Sequence, residues 1–265
     1  MTIPLEIPVF SPSSALHVQA IGAQRIELNA RGSYPDGGTT PAPADLEGVN
    51  KWLMVPVRIM IRPRGKRVED DVDFVYTEDE FATMLRDVEA FRPMLRADRG
   101  DGFVFGVLKR SSGDEGSAVG GVVVVVDVER NRRLVEAAGG LACSFHRAFD
   151  DVIRDGAAAG TIAKGVRDLA ACGFGGVLTS GGPGNAAANR GALEEVVREA
   201  SEVGKTAGAK GLEVIIGGGV RRENVGELVG GFKGDGSVWA HSSCLTEGEV
   251  DDEEAMGILE RLAER

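Results

Sequence analysis

The chain has 265 residues, of which 43% are hydrophobic, and its formal net charge is −11. This length suits one large domain or two small ones, and the apolar fraction is enough for a substantial core. The acidic balance argues against nucleic acid or an anionic membrane surface as the main partner. No apolar run reaches transmembrane length, and the N-terminus lacks the basic-then-apolar pattern of a signal peptide.

Three cysteines occur, Cys143, Cys172 and Cys244. Their spacing fits neither a disulfide framework nor a zinc site. Free thiols of this kind are typical of a reducing compartment, so we expect a cytoplasmic protein.

Predicted strands and helices alternate along the whole chain. Short apolar runs bounded by Gly, Pro or Asp predict strands at Leu5–Val9, Arg25–Asn29, Pro56–Arg62, Gly102–Leu108, Leu141–His146, Gly176–Ser180, Glu213–Ile216 and Val238–Ser243. Helical spacing and caps predict helices at Pro12–Gly22, Pro43–Trp52, Thr77–Arg96, a stretch ending at Ala138, Ala159–Ala171, Asn185–Ala207, Glu223–Val229 and Asp251–Glu264. Residues 109–121 are rich in Gly, Ser and charge and predict a surface insertion, followed by a run at Val122–Val126 that has the composition of a strand.

This alternation predicts a parallel α/β protein, and the count of eight units favours one (β/α)8 TIM-type barrel domain over residues 1–265. A doubly wound open sheet is the rival. Such a sheet usually carries a Gly-rich dinucleotide turn after its first strand, and the segment Pro8–Ser11 is not one.

Period-two alternation along the strands predicts which side chains enter the barrel. The inward set is polar and comprises Glu6, Glu27, Asn29, Arg58, Arg62, Ser144, His146 and His241. Buried charges must be paired, so we expect ion pairs inside the barrel. For the deeper Arg58 and Glu6, a purely structural network and a role in a site are equally consistent with the sequence.

Polar residues at the C-terminal ends of barrel strands predict the site. His146, Glu27 and Arg62 are the candidate catalytic residues, and Arg62 and Arg64 are placed to grip an anionic ligand. Histidine exchanges protons near neutral pH. The alternative is a packed histidine that hydrogen-bonds a backbone carbonyl.

A second signal follows the seventh and eighth predicted strands. Barrels often bind phosphate with these two loops, and glycines let backbone N–H groups approach an anion. The candidate anion-binding residues are Gly217, Gly218, Gly219, Arg221, His241, Ser242 and Ser243. A Gly-rich tight turn without a ligand is the alternative interpretation.

Several stretches, in order over nearly the whole chain, resemble the CutC copper homeostasis family. They are Arg25–Leu28, Gly37–Pro41, Val57–Gly65, Phe74–Phe81, Gly106–Leu108, Phe145–Asp150, Val177–Gly181, Gly217–Val220 and His241–Ser243. The resemblance implies a TIM-type barrel, a cytoplasmic location, a homo-oligomer and a role in copper handling or tolerance.

The sequence departs from the family pattern where thiolates for copper would be expected. Many relatives have Cys in the first strand and at the end of the second, and here those places hold Pro8, Val9 and Asn29. Cu(I) prefers soft thiolate ligands, and Cys244 is the one remaining metal candidate near the barrel mouth. We therefore expect weak, non-stoichiometric Cu(I) binding.

Three functions remain open at this point. The first is a copper-handling protein. The second is an enzyme that acts on a small phosphate- or carboxylate-bearing metabolite through His146 and the arginines. The third is a ligand sensor without catalysis.

Overall fold

The computed structural model describes residues 2–112, 122–154, 161–207, 211–232 and 237–264. Eight parallel strands form a closed barrel in which each strand pairs with its neighbours in chain order and the last pairs with the first. The strands are β1 (Leu5–Val9), β2 (Arg25–Leu28), β3 (Val57–Met60), β4 (Gly102–Phe105), β5 (Ala142–Phe145), β6 (Gly176–Thr179), β7 (Glu213–Ile216) and β8 (Val238–His241). The predicted barrel is thereby confirmed, and the open sheet is excluded.

Nine α-helices belong to the described residues. They are α1 (Pro12–Ile21), α2 (Pro43–Glu47), α3 (Glu78–Phe91), α4 (Val128–Ala137), α5 (Ala148–Val152), α6 (Thr161–Cys172), α7 (Arg190–Ala207), α8 (Val225–Val229) and α9 (Asp252–Ala263). The short α5 directly follows β5 and was not predicted. None of these described helices combines the length and the apolar composition needed to cross a membrane.

Local sequence explains where several helices begin. The Ser11 side chain accepts a hydrogen bond from the Ser14 amide, and Pro12 occupies the first turn of α1. Thr77 and Glu80 form the predicted capping box at the start of α3. Asp251 caps α9 by accepting from the Glu254 amide. These caps satisfy amide groups that the helix cannot bond internally.

The segment between β4 and α4 differs from the prediction. The predicted fourth strand extended to Leu108, but β4 ends at Phe105. Residues Leu108–Ser112 instead pair antiparallel with Val122–Val126 in a hairpin outside the barrel. The predicted strand at 122–126 is therefore present, but it is not a barrel strand. Most of the predicted insertion, residues 113–121, lies outside the described residues.

The barrel separates an apolar exterior layer from a largely polar interior. The layer between strands and helices contains Ile59, Phe103, Cys143 and Phe145, all buried in one apolar cluster. In-register neighbours on parallel strands point to the same side. The register places Glu27, Arg58, Gly102 and Ala142 side by side, and each of the last three precedes a member of that cluster by one residue. The interior of the barrel therefore carries charged side chains.

Candidate functional site

A cavity of about 730 Å³ opens at the C-terminal end of the barrel. Its walls come from the ends of strands and from the loops that follow them, as expected for this fold. The four side chains predicted to converge, Glu27, Arg62, His146 and His241, all line it, with Asp150 beside them. The convergence that strand alternation predicted is confirmed.

His146 is buried and neutral. Its ring packs on Phe74 with 4.6 Å between ring centroids. The Ala148 amide donates to Nδ1 over 3.3 Å, so the ring proton belongs on Nε2, which has no acceptor among the described residues. Burial, helped by the nearby Arg62 charge, lowers the pKa of His146 to about 3. Nε2 is therefore a hydrogen-bond donor without a partner, and the ring is poorly suited to accept a proton at neutral pH.

The two arginines predicted to grip an anion are already engaged. Arg62 lines the cavity, but its terminal nitrogens donate to the Asp36 and Gly38 carbonyls and to Asp73 at 2.9 Å. These bonds tie the loop after β2 to the C-terminal end of β3. Its buried Nε alone lacks a partner in the described chain. Arg62 thus positions the cavity wall rather than clamping a ligand bidentately.

Arg64 does not line the cavity, and the prediction that it grips a ligand is wrong. Its guanidinium binds Asp70 at 2.7 Å and Glu80 at 2.6 Å and lies over the Tyr76 ring. Both acidic partners come from outside the barrel strands. Arg64 therefore anchors the loop after β3 to the start of α3.

An ion-pair network fills the barrel below the cavity. Arg25 Nε binds Glu6, and Arg25 Nη1 binds Glu213 at 2.8 Å. The Arg25 guanidinium also lies 3.7 Å from the centre of the Trp239 ring. Glu6 accepts from His241 Nδ1 over 2.8 Å. The predicted interior ion pairing is present for Glu6, but its arginine partner is Arg25.

Arg58 does not pair with either interior glutamate. Its Nη1 donates to the Gly100 carbonyl at 2.6 Å, toward the N-terminal end of the barrel. Burial is the main reason that the pKa of Arg58 falls to about 10, with the Arg25 charge contributing. The expectation that the inward arginines would pair with the inward glutamates is therefore wrong for Arg58, and also for Arg62, whose carboxylate partner is Asp73.

Sequence reasoning missed Arg25, Glu213 and Trp239. The signal was present, because Arg25 lies two residues before Glu27 and Trp239 lies two before His241, so each shares its neighbour's inward face. Glu213 is the first residue of β7, and no residue of that strand had been predicted to point inward. The alternation therefore gave no starting point from which to assign Glu213 to the interior.

The network sets the charges of Glu6 and His241. Burial opposes ionisation of Glu6, but the Arg25 charge and the His241 hydrogen bond outweigh it and hold the pKa of Glu6 well below its usual range. Burial also disfavours protonated His241, yet the hydrogen bond with Glu6 and the Glu27 charge raise the pKa of His241. An ionised carboxylate and an imidazole therefore share this hydrogen bond.

Glu27 has an oxygen without a protein partner. Asn29 Nδ2 donates to Oε1 over 3.1 Å, whereas the buried Oε2 accepts no hydrogen bond from the described residues. Burial raises the pKa of Glu27, and the His241 charge offsets only part of that effect. Leaving a buried carboxylate oxygen unpaired costs stability, which makes this oxygen a ligand-binding candidate.

The loops after β7 and β8 offer unpaired donors, although not all of the predicted ones. The Gly217 amide donates to the Thr179 carbonyl, and the Ser242 hydroxyl donates to the Val220 carbonyl, so both predicted donors are occupied. In the described structure no acceptor binds the amides of Gly218, Gly219, Val220 and Ser243. All four of these residues line the cavity.

Arg221 completes this group of donors. Its side chain lines the cavity and makes no hydrogen bond or ion pair with any described residue. Its backbone amide is held by Asn224 Oδ1 at 2.8 Å, which fixes the loop at this point. A free guanidinium beside unpaired amides is suited to bind an anion.

Asp150 organises the cavity wall next to Gly218, because its partners Ser180 and Arg147 lie against that glycine. Its carboxylate accepts from the Thr179 hydroxyl, from the Ser180 amide at 2.9 Å and hydroxyl at 2.8 Å, and from Arg147 at 2.8 Å. These bonds use both carboxylate oxygens. Asp150 therefore holds the loop after β6 in place.

The three cysteines lie away from the cavity. All three are buried free thiols in the apolar cluster, and none lines the cavity. Burial raises the pKa of Cys143 and of Cys172 to about 12 and that of Cys244 to about 11. No cysteine belongs to a group of three metal-ligating side chains in the described chain. The expectation that Cys244 would reach the mouth as a metal ligand is wrong, because its side chain is buried in the apolar cluster and does not line the cavity.

Comparisons with known proteins agree with the fold and the motifs. A CutC family protein from Salmonella enteritidis is 35% identical over 221 residues, which are 83% of this chain and 73% of the relative. The structure of a copper homeostasis protein CutC from Streptococcus agalactiae has a TM-score of 0.69 and 24% identity, covering 91% of this chain and 98% of its own. Phosphoribosyl anthranilate isomerase from Thermus thermophilus has a TM-score of 0.52 at 16% identity, with 99% of each chain covered, and shares the fold alone.

The family comparison covers the same region as the barrel. The model described as the CutC family matches residues 3–245, from before β1 to beyond β8. The chain therefore belongs to the CutC family.

Proposed function

We propose that this protein serves copper homeostasis by binding a small anionic ligand in the C-terminal cavity, and not by holding Cu(I) between thiolates. The CutC family match supports the copper role. The observation that carries the ligand proposal is Arg221, an unpaired guanidinium beside the unpaired amides of Gly218, Gly219 and Val220.

The charge distribution supports an anion at this position. The other cavity arginines are neutralised, because Arg62 binds Asp73, Arg147 binds Asp150 and Arg154 binds Asp151. Arg221 has no such partner among the described residues. A molecule with a net charge of −11 would otherwise repel an anion, so local positive charge has to supply the attraction.

An acid–base enzyme is a weaker candidate. The predicted catalytic group, His146, is neutral, and its Nδ1 accepts from a backbone amide. A general base needs a free basic atom with a pKa near the working pH. We therefore propose that His146 donates a hydrogen bond from Nε2 to the bound ligand.

The compartment and the assembly state belong to the same proposal. Three free cysteines support a reducing, cytoplasmic location. The Streptococcus agalactiae protein matches over nearly its whole length, but this likeness concerns the fold. Self-association remains a prediction from the family resemblance, and gel filtration with light scattering tests it.

Inorganic phosphate is the probe for the proposed ligand. We expect phosphate to raise the thermal midpoint of the protein, since ligand at ten times its Kd adds about 1.4 kcal/mol to folding stability. Arg221→Ala should remove most of this shift. Arg222→Ala is the matched control, because the neighbouring Arg222 points away from the cavity to Glu254.

Two outcomes would contradict the proposal. One is a midpoint that phosphate leaves unchanged in the original protein at every concentration tried, with chloride at equal ionic strength as reference. The other is an equal loss in the Arg221 and Arg222 variants, which would indicate general charge screening.

A further inference from the structure

Three metal-ligating side chains meet at the floor of the cavity. Glu6, Glu27 and His241 each offer one ligand atom, and these atoms lie within 4.8 Å of one another. They stand on the adjacent strands β1, β2 and β8, where Glu6 and His241 are in register. Side chains carried by strands of a closed barrel are held more rigidly than side chains on loops.

A second observation marks this cluster as a binding site. Glu27 is only 3% exposed, lines the cavity and leaves Oε2 without a hydrogen-bond donor in the described structure. A cation between the three side chains would give that oxygen its partner. Asn29 holds the other oxygen, which fixes the orientation of the carboxylate.

The donor set indicates the class of metal. Nitrogen and oxygen ligands lie about 2.0–2.2 Å from Zn²⁺, so two of its ligands are at most about 4.4 Å apart. The observed separations need only small movements to reach that value. One imidazole and two carboxylates suit divalent transition metals, whereas Cu(I) prefers sulfur.

The surrounding charges are compatible with a divalent ion. Arg25 pairs with Glu213 as well as with Glu6. The charges of Arg25 and Glu213 compensate each other. The two carboxylates of Glu6 and Glu27 would match the charge of the metal once both are bound to it. A buried ion that is neutralised in this way avoids the cost of an uncompensated charge.

We propose that Glu6, Glu27 and His241 bind one divalent transition-metal ion whose open coordination position faces the cavity. Affinities of such sites rise along the first-row divalent metals to Cu²⁺, so Cu²⁺ is bound more tightly than Zn²⁺. The residues of this metal site differ from those of the proposed anion site around Arg221. The metal proposal therefore does not depend on the anion proposal.

Metal titration of the untagged, chelator-stripped protein tests this site. We expect one Zn²⁺ or one Cu²⁺ per chain, with Cu²⁺ displacing Zn²⁺. Glu27→Gln keeps the shape of the side chain and should weaken binding at least about tenfold. The control Glu254→Gln changes a buried glutamate that binds the Arg222 amide outside the cavity, and it should bind as the original protein does.

Electron paramagnetic resonance of the Cu²⁺ protein identifies the ligands. The spectrum should show coupling to one imidazole nitrogen that His241→Gln abolishes and His17→Gln preserves. Arg221→Ala should retain the metal, which separates this test from that of the phosphate site. The inference is overturned if no stoichiometric ion binds, or if Glu27→Gln and Glu254→Gln bind it equally.

Discussion

At the scale of single residues, His146 shows how burial sets the chemistry available in the cavity. Its ring is 3% exposed and packs on Phe74, beside the Arg62 guanidinium. Both effects disfavour the imidazolium form. The folded protein therefore holds a neutral imidazole over most of the pH range in which a free histidine is charged.

This difference between folded and unfolded chain predicts a pH dependence of stability. The pKa of His146 is about 3 in the fold against an ordinary value of 6.5, so below 6.5 the unfolded chain binds a proton that the native state does not. Its contribution to the free energy of unfolding is complete above pH 6.5 and is lost as the pH falls toward 3. The slope from this residue is at most about 1.4 kcal/mol per pH unit.

Urea unfolding of the original protein and of His146→Gln at about pH 7 and about pH 4.5 measures this effect. The variant should lose less stability on acidification than the original protein does. A variant that loses as much or more would show that His146 titrates normally in the fold.

The residue scale also shows how far the sequence could predict the site. Strand alternation placed Glu27, His146 and His241 correctly, because a buried strand leaves a side chain only two directions. It could not show that Arg64 binds Asp70 and Glu80. Asp70 lies on a loop and Glu80 at the start of a helix, and a periodic sequence pattern does not predict where either lies in space. Pairing between charged groups depends on tertiary distance, which the pattern does not contain.

At the scale of elements, α3 tests whether a cap recognised from sequence contributes to the fold. The Thr77 hydroxyl accepts from the Glu80 amide over 3.3 Å, and Glu80 accepts from the Thr77 amide over 2.8 Å. Thr77→Ala removes the first bond, and we expect it to lower the free energy of unfolding by about 1 kcal/mol.

Thr83→Ala is the control on the same helix, because Thr83 lies in the helix interior and caps neither end. Its hydroxyl donates to the Asp79 carbonyl and accepts a hydrogen bond from Arg86. We expect a change of less than about 0.5 kcal/mol in chemical denaturation. Equal losses in the two variants would mean that the capping box adds nothing to α3.

Elements were predictable where a local signal fixed them. The strands have apolar runs bounded by breakers, and β7 was predicted with the bounds that it has in the structure. The chain after β4 has no such boundary, because Gly106 sits inside a continuous apolar run, and so β4 was extended too far. The loop after β7 needed still finer detail. The Gly217 amide is hydrogen-bonded and those of Gly218 and Gly219 are not, and the sequence pattern of three glycines does not show this difference.

At the scale of the whole molecule, the barrel puts its thiols and its cavity in different layers. Cys143 and Cys172 lie in the apolar layer between strands and helices, and Cys244 is fully buried in the same cluster. A tight Cu(I) site needs thiolates held together. Raised thiol pKa values make thiolate formation still less favourable.

Competition with a Cu(I) chelator under reducing conditions tests this separation. We expect weak, non-stoichiometric Cu(I) uptake that Cys244→Ser leaves unchanged. One tightly held Cu(I) per chain, lost in Cys244→Ser, would show that this thiol reaches a metal site after all.

The central claim is that the loops after β7 and β8 bind an anion in the C-terminal cavity, and amide NMR of the ¹⁵N-labelled protein during a phosphate titration tests it most directly. The predicted result is saturable movement of the Gly218, Gly219 and Val220 signals, with little movement of the Gly217 signal, whose amide is already bonded to Thr179. The claim would be contradicted if the Gly218, Gly219 and Val220 amide signals did not move at phosphate concentrations high enough to saturate an anion site.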